Sequence, residues 1–442
     1  MDAMTIGLVA MALVLLLLAL RVPIAFALAA VASGGTFLVY ATRTGDWTPE
    51  RALNPTTSVV FSNFFDLVHS YDLSMVPLFV ALGNIAFYAG ITTRIYDAAA
   101  VWLRGLPGGV AMASVMGCGG FSAISGSSIA CASTMGRICV PEMLRMGYDP
   151  KLATSSVAVG GTLGSLIPPS VLFILYGIFT ETSIAQLFLA GILPGLLSLA
   201  GMILVIAWWV ARDPAAAPRA SGEGASRSQA ALAAWPAVLL FAVIVGGIYG
   251  GFFTATEAAA VCVVLTIAIG FAERRLSFEV LWRAVRESLV QTASIFLIAG
   301  AAKIFVSFVA LTGIAGGVVG WVADAQLSFA VLMLVIVVIY LVLGMFLDPI
   351  GIMVLTLPFM VPLVEGYGLN LIWFGVIVVK LLEIGLITPP VGLNVFVVSN
   401  VTKGVAIDKI FAGVSRFLLV DLLVLLVLIL FPVISIIIPG SM

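Results

Sequence analysis

Two stretches of glycine, serine and threonine interrupt apolar segments in the first half of the chain, and they hold the side chains best suited to ligand binding. The first is SGSS, and the second runs from 160 to 168. The candidate residues are Ser125, Gly126, Ser127 and Ser128, then Gly160, Gly161, Thr162, Gly164 and Pro168. Hydroxyls and freed backbone carbonyls are hard oxygen ligands that suit sodium, whereas the N–H groups of a half-helix suit an anion.

A similar set lies in the second half of the chain. At the tip LDPIG, Asp348 has the character of a helix N-cap and Pro349 that of a first helical residue. Further on, the stretch EIGLITPPVGLN (383–394) contains a Pro-Pro pair, which breaks a helix. Its candidate residues are Gly385, Thr388, Pro389, Gly392 and Asn394. Lipid offers no hydrogen-bond partners, so a break at bilayer depth predicts a site inside protein or beside a water-filled cavity.

Each candidate also has a purely structural interpretation, because caps and small residues are common where membrane helices pack. Because a hairpin tip and a helix break of this kind occur together in both halves of the chain, we favour the functional interpretation. For Asp348 both a cap and an ion or substrate contact are open. Lys380 and Glu383, three residues apart, predict a local ion pair, with a site role for Glu383 as the alternative. Asn394 would face either the cavity or a neighbouring carbonyl.

Composition sets the class of protein. The chain has 442 residues, of which 62% are hydrophobic and only 9% charged, against about 25% charged in soluble domains. It is therefore expected to be an all-α polytopic membrane protein. A net charge of −1 predicts no nucleic-acid partner, and the four cysteines lack CxxC spacing, which favours buried thiols. With one histidine, no Ser/His/Asp set and no HExxH motif can be assembled, so we expect no enzyme.

Hydropathy, at about 20 residues per span, predicts the elements that position these residues. Two apolar stretches, 108–144 and 328–364, each carry a polar tip and are predicted to be helical hairpins. A flexible linker is expected at 213–230, and the region 42–72 is ambiguous. Spans are predicted near 4–20, 22–41, 74–93, 153–177, 184–210, 234–252, 254–272, 288–312, 371–399 and 411–437.

The chain contains an internal repeat. GSLIPPS (164–170) matches GLITPPV (385–391), and the first prolines, Pro168 and Pro389, are 389 − 168 = 221 residues apart. Basic residues flank the first hairpin but not the second, and such residues concentrate in cytoplasmic loops. The two units are therefore predicted to have opposite orientations, as in secondary transporters with inverted repeats and broken helices. Because the tips hold few titratable groups, sodium is favoured over a proton as the coupling ion.

Four sequence stretches resemble the large membrane subunit of TRAP (tripartite ATP-independent periplasmic) transporters. They are ISGSSIA, GYDPKLATSSVAVGGTLGSLIPPSVLFILYGI, LFLAGILPG and LLEIGLITPPVGLNVFVVSN, and the likeness runs from about residue 4 to 437. This resemblance implies a sodium-coupled importer of a small carboxylate, such as a C4-dicarboxylate or sialic acid, in the cytoplasmic membrane of a bacterium or archaeon. It further implies an elevator mechanism, a separate small membrane subunit and a periplasmic substrate-binding protein.

The same resemblance implies where the parts lie. One sodium site would lie between the SGSS tip and the 160–168 break, and a second between the LDP tip and the 383–394 break. The moving part would comprise 73–183 and 287–402. The scaffold would comprise 1–72, 184–286 with its linker at 211–233, and 403–442. The stretch ERRLSFEVLWRAVRE is expected to be an interfacial helix, with phospholipid contacts at Arg283 and Arg286.

Three alternative functions make different predictions. A stand-alone sodium or proton symporter of the same architecture would need no binding protein. A membrane-embedded protease would need a nucleophile–base pair, which the sequence does not supply. A passive channel would show conductance without saturation.

Overall fold

The computed structural model describes residues 2–43, 47–218, 226–402 and 404–441. All regular structure in these ranges is helical. Among the described residues, seven helices are long and apolar enough to cross a membrane, and the number is nine if each of two bent helix pairs is one span. The predicted all-α, polytopic architecture is confirmed.

Five helices precede the first hairpin: α1 (Ala3–Ala19), α2 (Ile24–Thr42), α3 (Pro49–Val68), α4 (Met75–Tyr88) and α5 (Ile91–Leu103). Within the ambiguous region 42–72, residues 49–68 form α3, which meets the helical segment Asp72–Tyr88 at an angle of 58°.

The first hairpin and the first broken helix occur where they were predicted. The hairpin consists of α6 (Gly109–Ser125) and α7 (Ser128–Arg145). The broken helix consists of α8 (Pro150–Gly160), the single turn α9 (Leu163–Leu166) and α10 (Val171–Thr180). Pro168 and Pro169 lie between α9 and α10, where the ring and the missing N–H of proline stop the helix.

The middle of the chain contains α11 (Ile184–Arg212), α12 (Arg227–Ala233), α13 (Trp235–Phe241), a π-helical segment (Ala242–Gly246), α14 (Gly247–Tyr249) and α15 (Ala255–Ala272). The predicted linker ends earlier in the chain than expected, because α12 already begins at Arg227. Residues 219–225 of that linker lie outside the described residues.

The predicted start of a span near residue 288 is wrong. The stretch expected to form a separate interfacial helix continues into the next span as one helix, α16 (Phe278–Thr312), of 35 residues. No glycine or proline interrupts the sequence between 278 and 299. At 1.5 Å per residue the helix is about 52 Å long, so it exceeds the ~30 Å hydrocarbon core.

The second half ends with α17 (Ile314–Asp324), α18 (Phe329–Gly344), α19 (Pro349–Gly366), α20 (Leu371–Gly385), α21 (Leu393–Val401), α22 (Ile407–Leu430) and α23 (Val433–Ile436). The second hairpin is α18 and α19, and the second broken helix is α20 and α21.

The helices form two packed sets, which contact each other where α4 meets α6 and where α16 meets α19. In the first, α16 packs on α2, α3 and α4, and α15 packs on α4. The second contains the hairpins and broken helices together with α11 and α22. Within it the two repeats exchange partners: α10 packs on α19 of the second hairpin, and α21 packs on α7 of the first. This reciprocal packing is what a two-fold related repeat requires.

Candidate functional site

The tip of the first hairpin lies directly on the first broken helix. The hydroxyl oxygens of Ser128 and Ser165 are 2.6 Å apart, and the Ser128 hydroxyl also donates to the Thr162 carbonyl at 3.3 Å. On the other side of the break, the Val171 N–H donates to the Gly126 carbonyl at 3.2 Å. The predicted meeting of SGSS with the 160–168 break is therefore present.

This close approach requires glycine at two positions. A Cβ on Gly164 would lie 2.7 Å from backbone atoms of Ser127 and Ser128. Gly126 has a φ of 63°, and a Cβ there would lie 2.6 Å from the Pro169 carbonyl oxygen. Gly160 and Gly161 instead pack closely on Cys118 and Ala132, which is the packing role that small residues have between membrane helices.

The polar side chains around this break divide into two kinds. Ser127 caps α7 by accepting the Ala130 N–H, and Thr162 donates to the Val159 carbonyl at 2.7 Å. The Ser125 hydroxyl is buried and has no hydrogen-bond partner within the described part of the chain. Buried polar groups are rarely left unpaired without a reason, so Ser125 is the side chain here that remains available for a ligand.

At the second tip, Asp348 acts as the predicted cap. Its Oδ1 accepts the Gly351 N–H at 3.0 Å, and Pro349 is the first helical residue. At the second break, the Thr388 hydroxyl donates to the Ile384 carbonyl at 2.6 Å, and Gly392 has a φ of 56°. Asp348 and Thr388 therefore both make the hydrogen bonds expected for a purely structural role. The Asp348 carboxylate and the Thr388 hydroxyl oxygen can each still accept a further bond.

The second tip and second break meet through backbone. Gly344, at the end of α18, faces Gly385, and a Cβ on either would lie 2.8 Å from the other's Cα. Over the ranges that the structure covers, no hydrogen bond joins Asp348 to Thr388 or Asn394. At the predicted second site, the backbone of the hairpin therefore approaches the backbone of the broken helix, but no direct hydrogen bond joins their candidate side chains.

Asn394 connects the two repeats. Its side-chain amide donates to the Ala158 carbonyl in α8 at 3.2 Å, which is the neighbouring-carbonyl alternative from the sequence. Asn394 is completely buried, and its Oδ1 has no partner among the residues that the structure describes. The amide nitrogen of Asn394 therefore has a structural role, and its Oδ1 is available to bind a ligand.

The two proline pairs differ in exposure. Pro168 and Pro169 are buried, whereas Pro389 and Pro390 are exposed. The first break is closed by the seated hairpin tip, and the second opens to the surface of the molecule. The repeat is thus symmetric in sequence and asymmetric in this conformation.

A buried charged cluster lies behind the second break. The Lys380 ammonium lies 2.6 Å from Asp421 of α22, 3.1 Å from the Ser198 hydroxyl of α11 and 3.9 Å from Glu383. The predicted pair with Glu383 exists only at the longest of these distances. Neither carboxylate oxygen of Glu383 has a hydrogen-bond partner within the described ranges. Asp421 was missed, although an aspartate inside an apolar span is itself a signal.

The comparisons with known proteins agree with this architecture. Residues 11–434 match the family model described as the tripartite ATP-independent periplasmic transporter, DctM component. The chain belongs to this family. The match covers nearly the whole chain, so it includes both hairpins and both broken helices.

Three named relatives of this TRAP component are 30–34% identical to it over the aligned residues. The C4-dicarboxylate TRAP transporter large permease protein of Pseudomonas aeruginosa is 34% identical over 85% of this chain and 88% of its own length. The ectoine TRAP transporter large permease protein of Halomonas elongata is 30% identical over 82% of this chain and 85% of its own. The sialic acid TRAP transporter permease of Haemophilus influenzae is 30% identical over 84% of this chain and 60% of its own.

Among solved structures, the YdaH transporter of Alcanivorax borkumensis has a similar fold. The TM-score is 0.62, with 86% of this chain and 89% of that chain covered. At 15% sequence identity, this likeness concerns the fold alone.

Proposed function

We propose that this TRAP component is the membrane subunit of a sodium-coupled symporter that imports a small organic acid. The substrate would be delivered by a periplasmic binding protein, with a separate small membrane subunit, across a bacterial or archaeal cytoplasmic membrane. The observation that carries the proposal is the first hairpin tip seated on a broken helix, with the unpartnered Ser125 hydroxyl beside it. The names of the relatives support the substrate class, since C4-dicarboxylates, ectoine and sialic acid all carry a carboxylate.

The residues present fit sodium ions. At the first break the ligands would come from the Ser125 hydroxyl and from carbonyls of the SGSS tip and of 160–168. At the second they would come from Asn394 Oδ1, the Thr388 hydroxyl and carbonyls of 385–392. The unpaired Ser125 and Asn394 oxygens support this assignment. A bound sodium would add positive charge beside the half-helix N-termini and so favour a carboxylate nearby.

For the proposed elevator movement, the packing suggests a different division from the one implied by the resemblance. We assign α11 and α22 to the moving body, because Lys380, Ser198 and Asp421 join both helices to α20. We assign α4 and α16 to the scaffold, because they pack on each other and on α2, α3 or α15. Gly83 of α4 then marks the sliding surface, since a Cβ there would lie 2.9 Å from the Ser125 Cα.

The experiment is a thermal unfolding titration of the purified membrane complex in detergent, with NaCl compared against choline chloride at constant ionic strength. A ligand that binds only the folded state stabilises it by about 2.7 kcal/mol at 100 times its Kd. We expect a saturable, sodium-specific rise in melting temperature that Ser125→Ala and Asn394→Ala each reduce. The matched control is Ser415→Ala, an exposed serine of α22, which should leave the rise unchanged.

Equal melting curves in the two salts would refute sodium coupling. Proton coupling through Asp348 at the second tip and Glu383 at the second break would then be the better proposal. Uptake of the organic acid by proteoliposomes that hold the membrane subunits without a binding protein would favour the stand-alone symporter instead.

A further inference from the structure

A separate cavity of about 730 Å³ lies at the far end of α10 from the first break. Its lining comes from the end of α3 and the turn after it, the end of α10, the start of α15, and Lys303 of α16. The ten residues of α10 span about 15 Å, so the cavity is distinct from the proposed sodium sites. The charge distribution of the sequence predicts that this end faces away from the cytoplasm.

Lys303 is the basic residue of this cavity. It is half-buried and lies nine residues before the end of α16, about 14 Å along the helix from Thr312. Within the described ranges it makes no ion pair or hydrogen bond. An unpaired ammonium inside an otherwise apolar span is expensive, and such residues commonly mark a ligand path.

A second unpaired donor lines the same cavity. Thr256 is only 7% exposed, and its hydroxyl has no partner among the described residues. Thr256 and Ala255 are the first residues of α15, so their N–H groups have no intrahelical acceptor. Thr254 and Glu257 form a capping box that satisfies each other's N–H groups and leaves those two free. The Glu257 carboxylate offsets part of the positive helix end on that side.

The rim of the cavity has the opposite charge. Asp66, Asp72 and Glu181 line it, are exposed, and form no ion pair in the part of the chain that the structure describes. Three carboxylates against one ammonium disfavour a dianionic ligand, because like charges at close range repel. They favour a ligand that carries one carboxylate and one cationic nitrogen.

We propose that this cavity is an outer binding site for a small zwitterion, with its carboxylate at Lys303 and Thr256 and its cationic nitrogen toward the acidic rim. The site would receive the substrate before it reaches the broken helices. The proposal rests on the proposed transport function and narrows its substrate class from carboxylates in general to zwitterionic ones.

The test is equilibrium dialysis of the purified membrane complex, in NaCl, against radiolabelled ectoine, glycine betaine and L-proline as zwitterions and succinate as the dianion. We expect at least one zwitterion to bind more tightly than succinate. Lys303→Gln should weaken its binding about 10- to 100-fold, as expected for a hydrogen-bonded charge, and Lys303→Arg should retain most of it. Thr256→Val, which removes the hydroxyl at constant shape, should weaken it less.

Two further variants sharpen the result. Asp72→Asn combined with Glu181→Gln should reduce the preference for the zwitterion over succinate about threefold or more, and Lys409→Gln, at an exposed lysine of α22, should change nothing. Tighter binding of succinate than of every zwitterion, or zwitterion binding that is absent or insensitive to both Lys303→Gln and Thr256→Val, would overturn the proposal. The sodium-dependent rise in melting temperature is read in the same samples, so failure of sodium coupling is detected separately.

Discussion

The ammonium of Lys380 and the carboxylate of Asp421 lie 2.6 Å apart in the interior of the molecule, although 41 residues separate them in the chain. Lys380 belongs to the second broken helix and Asp421 to α22, and Ser198 of α11 completes the contact. Three helices are thereby held at one point next to the helix break. A buried pair of this kind resists separation, because each charge would be left uncompensated.

We expect Asp421→Leu alone to destabilise the protein by about 3–5 kcal/mol, because it leaves Lys380 buried without its closest partner. The double variant Lys380→Met with Asp421→Leu should recover most of that loss. Chemical unfolding in detergent would measure both. The control is Glu279→Gln, which removes an exposed pair with Arg283 and should have no measurable effect. A double variant as unstable as the single one would show that Lys380 has another indispensable partner.

Gly164→Ala is expected to destabilise the seated hairpin tip by about 1–3 kcal/mol, because the new methyl group would overlap backbone atoms of Ser127 and Ser128. Gly34→Ala is the matched control: Gly34 lies in α2, and a Cβ there meets nothing within 4 Å. That change should be neutral or stabilising, since alanine loses less backbone entropy in a helix. Equal melting temperatures for the two variants would contradict the close approach of tip and break.

Gly83→Leu is expected to reduce uptake by proteoliposomes at least about tenfold, because a large side chain would project from α4 into the tip at Ser125. If Gly83 lies on a sliding surface, the melting temperature should fall much less than the uptake rate. The control Gly320→Ala changes a position with open space around it and should leave both unchanged. Parallel loss of stability and uptake in Gly83→Leu would point to simple overpacking.

The exposure of the two breaks can be compared at equivalent positions. Ser170 and Val391 are 221 residues apart, and Ser170 is buried whereas Val391 is half-exposed. A polar maleimide should therefore label Val391→Cys at least about ten times faster than Ser170→Cys in detergent. The four native cysteines are buried, so the background should be low. Equal labelling rates would mean that the asymmetry between the breaks is not kept in solution.

Loss of the bond between the repeats is testable at Asn394. Asn394→Ala removes its donor and leaves the Ala158 carbonyl unpaired, which should destabilise the protein by about 1–3 kcal/mol. Asn394→Asp should be worse, because it places a charge where the donor was. Thermal unfolding without sodium isolates this structural effect from ion binding. Unchanged stability in Asn394→Ala would contradict a bond across the repeats.

The sequence predicted the parts of the fold that local chemistry controls. Serine caps, Asp-Pro and Pro-Pro are short-range signals, so both hairpins and both breaks were located within a few residues. The partners of Lys380 and Asn394 could not be predicted, because they lie on helices that are distant in sequence. Local sequence patterns do not show which of these distant residues come into contact. The wrong helix start near residue 288 has a different cause: a change from charged to apolar residues marks the depth in a membrane, not the end of a helix.

The exchange of partners between the repeats has a consequence for biogenesis. The second arm of the first hairpin ends at Arg145, and α21, which packs on it, begins at Leu393, 248 residues later. At about 5–20 residues per second, the ribosome needs about 12 to 50 s to supply that partner. During this interval α5 and α8 already pack on the hairpin, but the surface of α7 that α21 covers has no partner from the second repeat. That surface of α7 must be sheltered by the insertion machinery or by lipid until synthesis of the polypeptide is nearly finished.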